Sequence, residues 1–172
     1  FRVINAFIPI FWTRELGTSP EQGSFALTVF FSIGIFMTYI GGLLGDKFGP
    51  IKIIRLSLLV WLPAMFLLTE VPNFSPVIML PVGYLLLLMI GAAKAISYSP
   101  VIVLGQTYLA KSIGFASGIT LGVSQTIGGV IAPVVGNLAD TYSLPIAMMT
   151  LVPFLVMGLG ASLLLKDPKK LQ

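Results

Sequence analysis

Apolar residues run along this chain in long blocks, and most charged residues fall in the breaks between them. Six blocks separate, at about 1–16, 24–44, 51–70, 76–104, 113–138 and 144–165. The breaks carry the charges and turn formers: Thr13–Arg14–Glu15, Gly45–Asp46–Lys47, Glu70–Val71–Pro72, Asp140, and Lys166–Asp167–Pro168. A barrel strand alternates polarity over roughly ten residues, and runs such as Leu85, Leu86, Leu87, Leu88, Met89, Ile90 do not alternate. Helices satisfy their own backbone groups in lipid, and a spanning helix needs about 20 apolar residues. The pattern predicts an all-α membrane protein with six transmembrane helices. Pro63, Pro100, Pro133 and Pro153 fall inside blocks and are expected to kink their helices, tolerated where neighbours help.

The first block is the exception in length. Its apolar stretch, Phe1 to Trp12, is too short to span, and no basic segment followed by a small-residue cleavage site marks a signal peptide. The expectation is a helix truncated at its start, with further residues before Phe1.

Composition agrees with lipid as the solvent. The chain of 172 residues is 56% hydrophobic and 9% charged, with mean hydropathy +1.01. A soluble domain carries about 25% charged residues. Cys and His are both absent, which removes disulfides, thiol catalysis, Cys/His zinc sites and imidazole proton shuttles. No paired acids, metal-ligand cluster or nucleophile arrangement is visible, so the expectation is a protein that is not an enzyme and needs no cofactor.

The net charge of +4 is a matter of placement. Lys47, Lys52, Arg55, Lys111, Lys166, Lys169 and Lys170 fall on one side of the predicted helices, and Arg14 on the other. Cytoplasmic loops are enriched in Lys and Arg. The first group, with the C-terminus, is therefore assigned to the cytoplasm. Glu15, Glu21, Glu70 and Asp140 go to the outer side. This bias accounts for the basic charge without nucleic acid.

A short pattern recurs. Gly42-Leu-Leu-Gly-Asp46 ends the second block and Gly136-Asn-Leu-Ala-Asp140 ends the fifth, 94 residues apart (136 − 42). Three blocks separate the two copies, so the first would end inside and the second outside. The expectation is two inverted three-helix repeats, an organisation found in transporters that work by alternating access. Chance matching in a Gly-rich apolar chain is the competing explanation.

The stretch Gly42-Leu-Leu-Gly-Asp-Lys-Phe-Gly-Pro-Ile-Lys52 resembles the short-loop signature of the major facilitator superfamily, G-x-L-x-D-R/K-x-G-R/K-R/K. In that family the signature lies between the second and third helices of each six-helix half, its place here. The resemblance implies a secondary transporter of which this chain is the C-terminal half, with the N-terminal half of the same transporter as its missing partner. Within the superfamily the chain is most similar to the fosmidomycin-resistance-like efflux branch, through Gly41–Gly49, Ser99-Pro-Val-Ile-Val-Leu-Gly-Gln106 and Ile113-Gly-Phe-Ala-Ser-Gly118. That branch implies antiport, drug efflux and a bacterial plasma membrane. Gly129-Val-Ile-Ala-Pro133-Val-Val-Gly136 is similar to the Gly-Pro helix motif of drug/proton antiporters, but sits in the pseudo-symmetric partner of the helix that bears it. A kinked, closely packed helix explains it equally well.

The loop residues have intelligible roles. Gly42 and Gly45 let helices approach closely. Gly49 permits a turn with positive φ. Lys47 and Lys52 hold the loop in the cytoplasm. Asp46, at the membrane edge, can accept bonds from a helix N-terminus or a cation. By resemblance it latches the cytoplasmic side in the outward-open state; otherwise the loop is a plain basic turn. Pro50 and Ile51 stand where the family has basic residues, leaving a latch to rely on Lys52 and Arg55.

Ionisable groups at membrane depth usually face a cavity or a partner. Lys94, among small residues in the middle of the fourth block, is the leading candidate. It is read either as a substrate-anion or proton-coupling group, or as a structural cation that pairs or snorkels. Arg2, Asn5, Pro9 and Trp12 share one helix face by their spacing and are candidates to line a cavity. Gln125 requires a partner, in a neighbouring helix or in a substrate, and Tyr98 would extend the Lys94 site. Acids sit only near block ends, so a coupling carboxylate is expected in the missing half. The expected function is proton-coupled export of small drug-like or anionic compounds. The alternatives are a symporter for organic acids or sugars and a non-transporting membrane subunit.

Overall fold

The computed structural model describes residues 2–165, Arg2 through its backbone only. It contains α1 (Arg2–Arg14), α2 (Pro20–Phe48), α3 (Pro50–Glu70), α4 (Pro76–Tyr108), α5 (Ile113–Thr141), α6 (Leu144–Met149) and α7 (Val152–Leu164), with single 3-10 turns at Val71–Asn73 and Ala110–Ser112. No strand occurs among the described residues. Five stretches are long and apolar enough to cross a membrane, α6 and α7 together forming the last, Leu144–Leu164. α1, with 13 residues, is shorter than the roughly 20 a crossing requires. Lys166, Lys169 and Lys170 lie outside the described residues.

Helix ends follow local chemistry that the apolar blocks missed. α2 starts at Pro20, not near Ser24, because Ser19 and Gln22 form a capping box: Gln22 N–H donates to Ser19 Oγ at 3.4 Å and Ser19 N–H to Gln22 Oε1 at 3.3 Å. The α2–α3 link is the single residue Gly49, whose φ of +94° is open to glycine at low cost. Pro50 then occupies the first helical position of α3, where its missing N–H costs nothing.

The sixth block departs from expectation. It is two helices, because Pro153 cannot donate to the Met149 carbonyl. The turn before it tightens instead, with Thr150 N–H donating to Ala147 O (3.2 Å) and Leu151 N–H to Met148 O (3.1 Å). The helices bearing Pro63, Pro100 and Pro133 continue through them without interruption.

α4 is the hub, packed on α2, α3 and α5, while α1 packs on α2 and α5. The core lies mainly between α1, α2, α3 and α4, joined by Val135 of α5 and Leu144, Ala147 and Met148 of α6, and includes Phe11, Trp12, Phe30, Met65, Leu87 and Ile90, all fully buried or nearly so. α2 and α4 come closest where side chains vanish. A Cβ on Gly41 would overlap the Ile96 backbone, one on Gly91 would lie 3.0 Å from Phe30 O, and one on Gly45 would lie 3.2 Å from the Pro100 ring. Gly42, singled out from the signature, has more room, with Ser99 Oγ at 3.4 Å. α5 packs on α1 less tightly: a Cβ on Gly136 of the second pattern would lie 3.7 Å from the Phe7 ring, an ordinary contact.

Candidate functional site

α4 carries the site's cation. Its residues Lys94, Ser97, Tyr98 and Val101 follow three- and four-residue spacing and so share a face. That face lines a cleft of about 290 Å³ whose other walls are Asn5 of α1, Phe31 of α2, and Thr120, Ser124 and Gln125 of α5. Lys94 Nζ donates to Asn5 Oδ1 at 3.3 Å. It also lies 4.7 Å from the Phe30 ring centre and 5.4 Å from that of Phe31, within the range of cation–π attraction. No carboxylate lines the cleft among the described residues.

A second cleft of about 280 Å³ lies between α2 and α4. Phe30, Phe31, Gly34, Ile35, Thr38, Gly91 and Ala95 line it, and Lys94 and Tyr98 border it too. Phe31, Lys94 and Tyr98 therefore stand at the junction of the two clefts.

Of the residues singled out from sequence, Lys94, Asn5, Tyr98 and Gln125 come together at one cleft. Trp12 does not join them, which corrects its assignment. It is fully buried seven residues further along α1, about 10 Å from Asn5 along the axis. Its ring packs against Phe11 (5.9 Å) and Tyr84 (5.4 Å). Pro9 faces α2, where its carbonyl would meet a Cβ on Gly23 at 2.9 Å. Arg2 begins α1, and its side chain lies outside the described residues.

Gln125 is exposed at the cleft, and among the described residues its amide makes no hydrogen bond. The α4–α5 bond that could have been its role is made by Gln106, whose Nε2 donates to Ser117 Oγ at 2.9 Å. Sequence reading passed over Phe30, Phe31 and Thr120. Apolar and hydroxyl side chains give no local signal of lining a cavity, and only the docking of α2 and α5 on α4 reveals them.

At the signature loop, Asp46 and Lys47 are exposed on the last turn of α2, with Lys47 Nζ 5.3 Å over the Phe48 ring. Lys52 is exposed on the first turn of α3. Among the described residues Asp46 has no ion-pair partner, and Arg14 and Asp140 form an exposed pair at 3.5 Å at the other end of the bundle. Arg55, a fallback for the loop, is engaged elsewhere. Its Nε and Nη2 donate to Ser162 O on α7 at 3.2 and 2.7 Å.

Comparison with known proteins adds to this geometry. The chain is 32% identical over 166 residues to an uncharacterized MFS-type transporter, YfnC, of Bacillus subtilis (strain 168), a match covering 96% of this chain and 39% of that protein. It is 28% identical over 142 residues to the fosmidomycin resistance protein of Escherichia coli (strain K12), covering 82% of this chain and 33% of that protein. The chain thus spans well under half the length of either relative. No solved structure matches it. The family model of the Major Facilitator Superfamily matches residues 1–172, and the chain belongs to that family of membrane transporters.

Proposed function

We propose that this chain is the C-terminal six-helix half of a secondary transporter that exports small anionic compounds by alternating access, in exchange for protons. The observation that carries the reading is the Lys94 ammonium, bordered by Asn5, Tyr98 and Gln125 in a cleft walled by four helices. A cation in a low-dielectric cleft attracts an anion more strongly than it would in water, and the amide and hydroxyl groups around it can complete the anion's hydrogen bonds. Similarity to a fosmidomycin resistance protein supports export over uptake.

The basic residues of the α2–α3 and α4–α5 links support a cytoplasmic placement for that end of the bundle. The bacterial origin of both relatives supports a plasma membrane. The exposed Asp46 is available to a cation or helix N-terminus in the N-terminal half, which is the role proposed for it as a latch. The match of Gly42–Asp46 with Gly136–Asp140, and the parallel pairing of α2 with α4 and α5 with α1, support two inverted three-helix repeats.

The test uses the full-length transporter in everted membrane vesicles made acidic inside. Export appears there as accumulation of the anion. Lys94→Gln should abolish it with the protein's abundance unchanged, while Lys94→Arg retains part of it. Undiminished transport by Lys94→Gln would sink the reading. Accumulation that survives collapse of the pH gradient would remove the proton from it.

A further inference from the structure

The two clefts that meet at Lys94 differ in what they offer. The one toward α1 and α5 is apolar over much of its wall, with Val101, Ile102 and Leu121, but it carries the hydroxyls and amides of Asn5, Ser97, Thr120, Ser124 and Gln125. The one between α2 and α4 is lined by Phe30, Phe31, Ile35 and Ala95 with Gly34 and Gly91, and by a single hydroxyl residue besides Tyr98, Thr38. Phe31 and Tyr98 stand on either side of the junction with about half of each side chain exposed, at 47% and 43%. The apolar cleft exists because Gly34 faces Ala95: a Cβ on Gly34 would find the Ala95 methyl at 3.9 Å and nothing closer.

We propose that the junction of Phe31, Lys94 and Tyr98 is a specificity site for small aromatic anions, the charged head lying at Lys94 on the polar side and the ring entering the slot between α2 and α4. This rests on the anion-transport reading above and names the substrate class. The clefts, at about 290 and 280 Å³, each fall just below the roughly 300–1,000 Å³ of small-molecule pockets, which suits a small molecule with its head group in one and a single ring in the other. A hydroxylated anion such as a sugar phosphate would leave polar groups unsatisfied against Phe30, Phe31, Ile35 and Ala95, which is costly. A ring, in contrast, gains offset or edge-on contact with Phe31 and Tyr98. Gly34, which has no side chain, leaves the space opposite the Ala95 methyl open to such a ring.

The experiment measures binding to the full-length transporter in detergent by titration calorimetry. The probes are benzenesulfonate and propane-1-sulfonate, both permanently anionic and differing in the body of the molecule. Benzenesulfonate should bind about 5- to 10-fold more tightly, the size expected of one or two ring contacts. Phe31→Leu, which keeps an apolar side chain, and Gly34→Leu, whose Cβ meets only the Ala95 methyl at 3.9 Å, should each bring the ratio of the two affinities near one. Tyr98→Phe should preserve it and Tyr98→Ala reduce it. Lys94→Gln should weaken both probes together. Equal binding of the two probes by the unmodified protein, or a ratio unmoved by both Phe31→Leu and Gly34→Leu, overturns the aromatic site while leaving the anion reading intact. If Lys94→Gln leaves both affinities unchanged, the anion reading fails and this inference fails with it.

Discussion

Missing side chains decide how near α2 comes to α4. At Gly41 a methyl would lie 2.7 Å from Ile96 Cα and 2.8 Å from its carbonyl carbon, and backbone in a packed helix has nowhere to go. At Gly45 the obstacle is the Pro100 ring at 3.2 Å, and at Gly42 it is a rotatable serine hydroxyl at 3.4 Å. Alanine substitution should therefore destabilise in the order Gly41, Gly45, Gly42. The first should cost about 1–3 kcal/mol as an overpacked core. Melting temperatures of the full-length variants in detergent measure this order, and an equal effect at all three positions would mean the helices are not so close. Glycines could be read in sequence as a sign of close packing, but not which one touches backbone. The same holds for the candidate site. Lys94 was legible because a charge inside an apolar block is rare, and Asn5 because it shares a face with other polar residues. Trp12 was misplaced by that very argument: helical spacing says which residues share a face, not what covers each part of it.

At the level of helices, one contact ties the beginning of α3 to the end of α7. The last carbonyls of a helix lack partners within it, and a cation there also meets the negative end of the helix dipole. Arg55 supplies both through its planar fork, with Nε and Nη2 on Ser162 O and Nη2 also 3.4 Å from Leu163 O. The bridge joins residues 107 positions apart and leaves Lys52 as the loop's exposed base at that end of α3. Arg55→Ala should lower stability by about 1–3 kcal/mol, the range for hydrogen bonds to charged groups. Arg55→Lys should recover less than half of that, since an ammonium on a flexible stem lacks the fork. Thermal unfolding of both variants distinguishes this from a general charge effect, in which lysine would restore stability in full. Helix number and order were legible because long apolar blocks in lipid have one solution. The break between α6 and α7 was not. Pro63, Pro100, Pro133 and Pro153 each remove one N–H, and the outcome depends on how the preceding turn is bonded again. Before Pro153 it is bonded by two tightened backbone contacts and the Thr150 hydroxyl, which donates to Ala147 O at 2.6 Å.

For the molecule as a whole, burial is uneven in a way that bears on function. Along its most apolar stretch α3 is 44% buried, whereas α2 and α5 are each 11% buried. Phe25, Ile35, Phe36 and Tyr39 of α2, and Phe115, Val123 and Val130 of α5, are exposed. Lipid can cover such faces, and α2 and α5 also border the clefts at Lys94, with Ile35 lining one of them. Alternating access requires a site closed first from one side of the membrane and then from the other, which a wall on one side of the ligand cannot do. The matched relatives are more than twice as long as the region they share with this chain. The 172-residue chain reconstituted in liposomes should therefore catalyse no transport of benzenesulfonate, even with a pH gradient imposed. On the proposed reading of the chain as a C-terminal half, co-reconstitution with the N-terminal half should restore it. Transport by the chain in monomeric form would show that its four-helix cleft is already a complete pathway, and would remove the need for a second half facing Lys94.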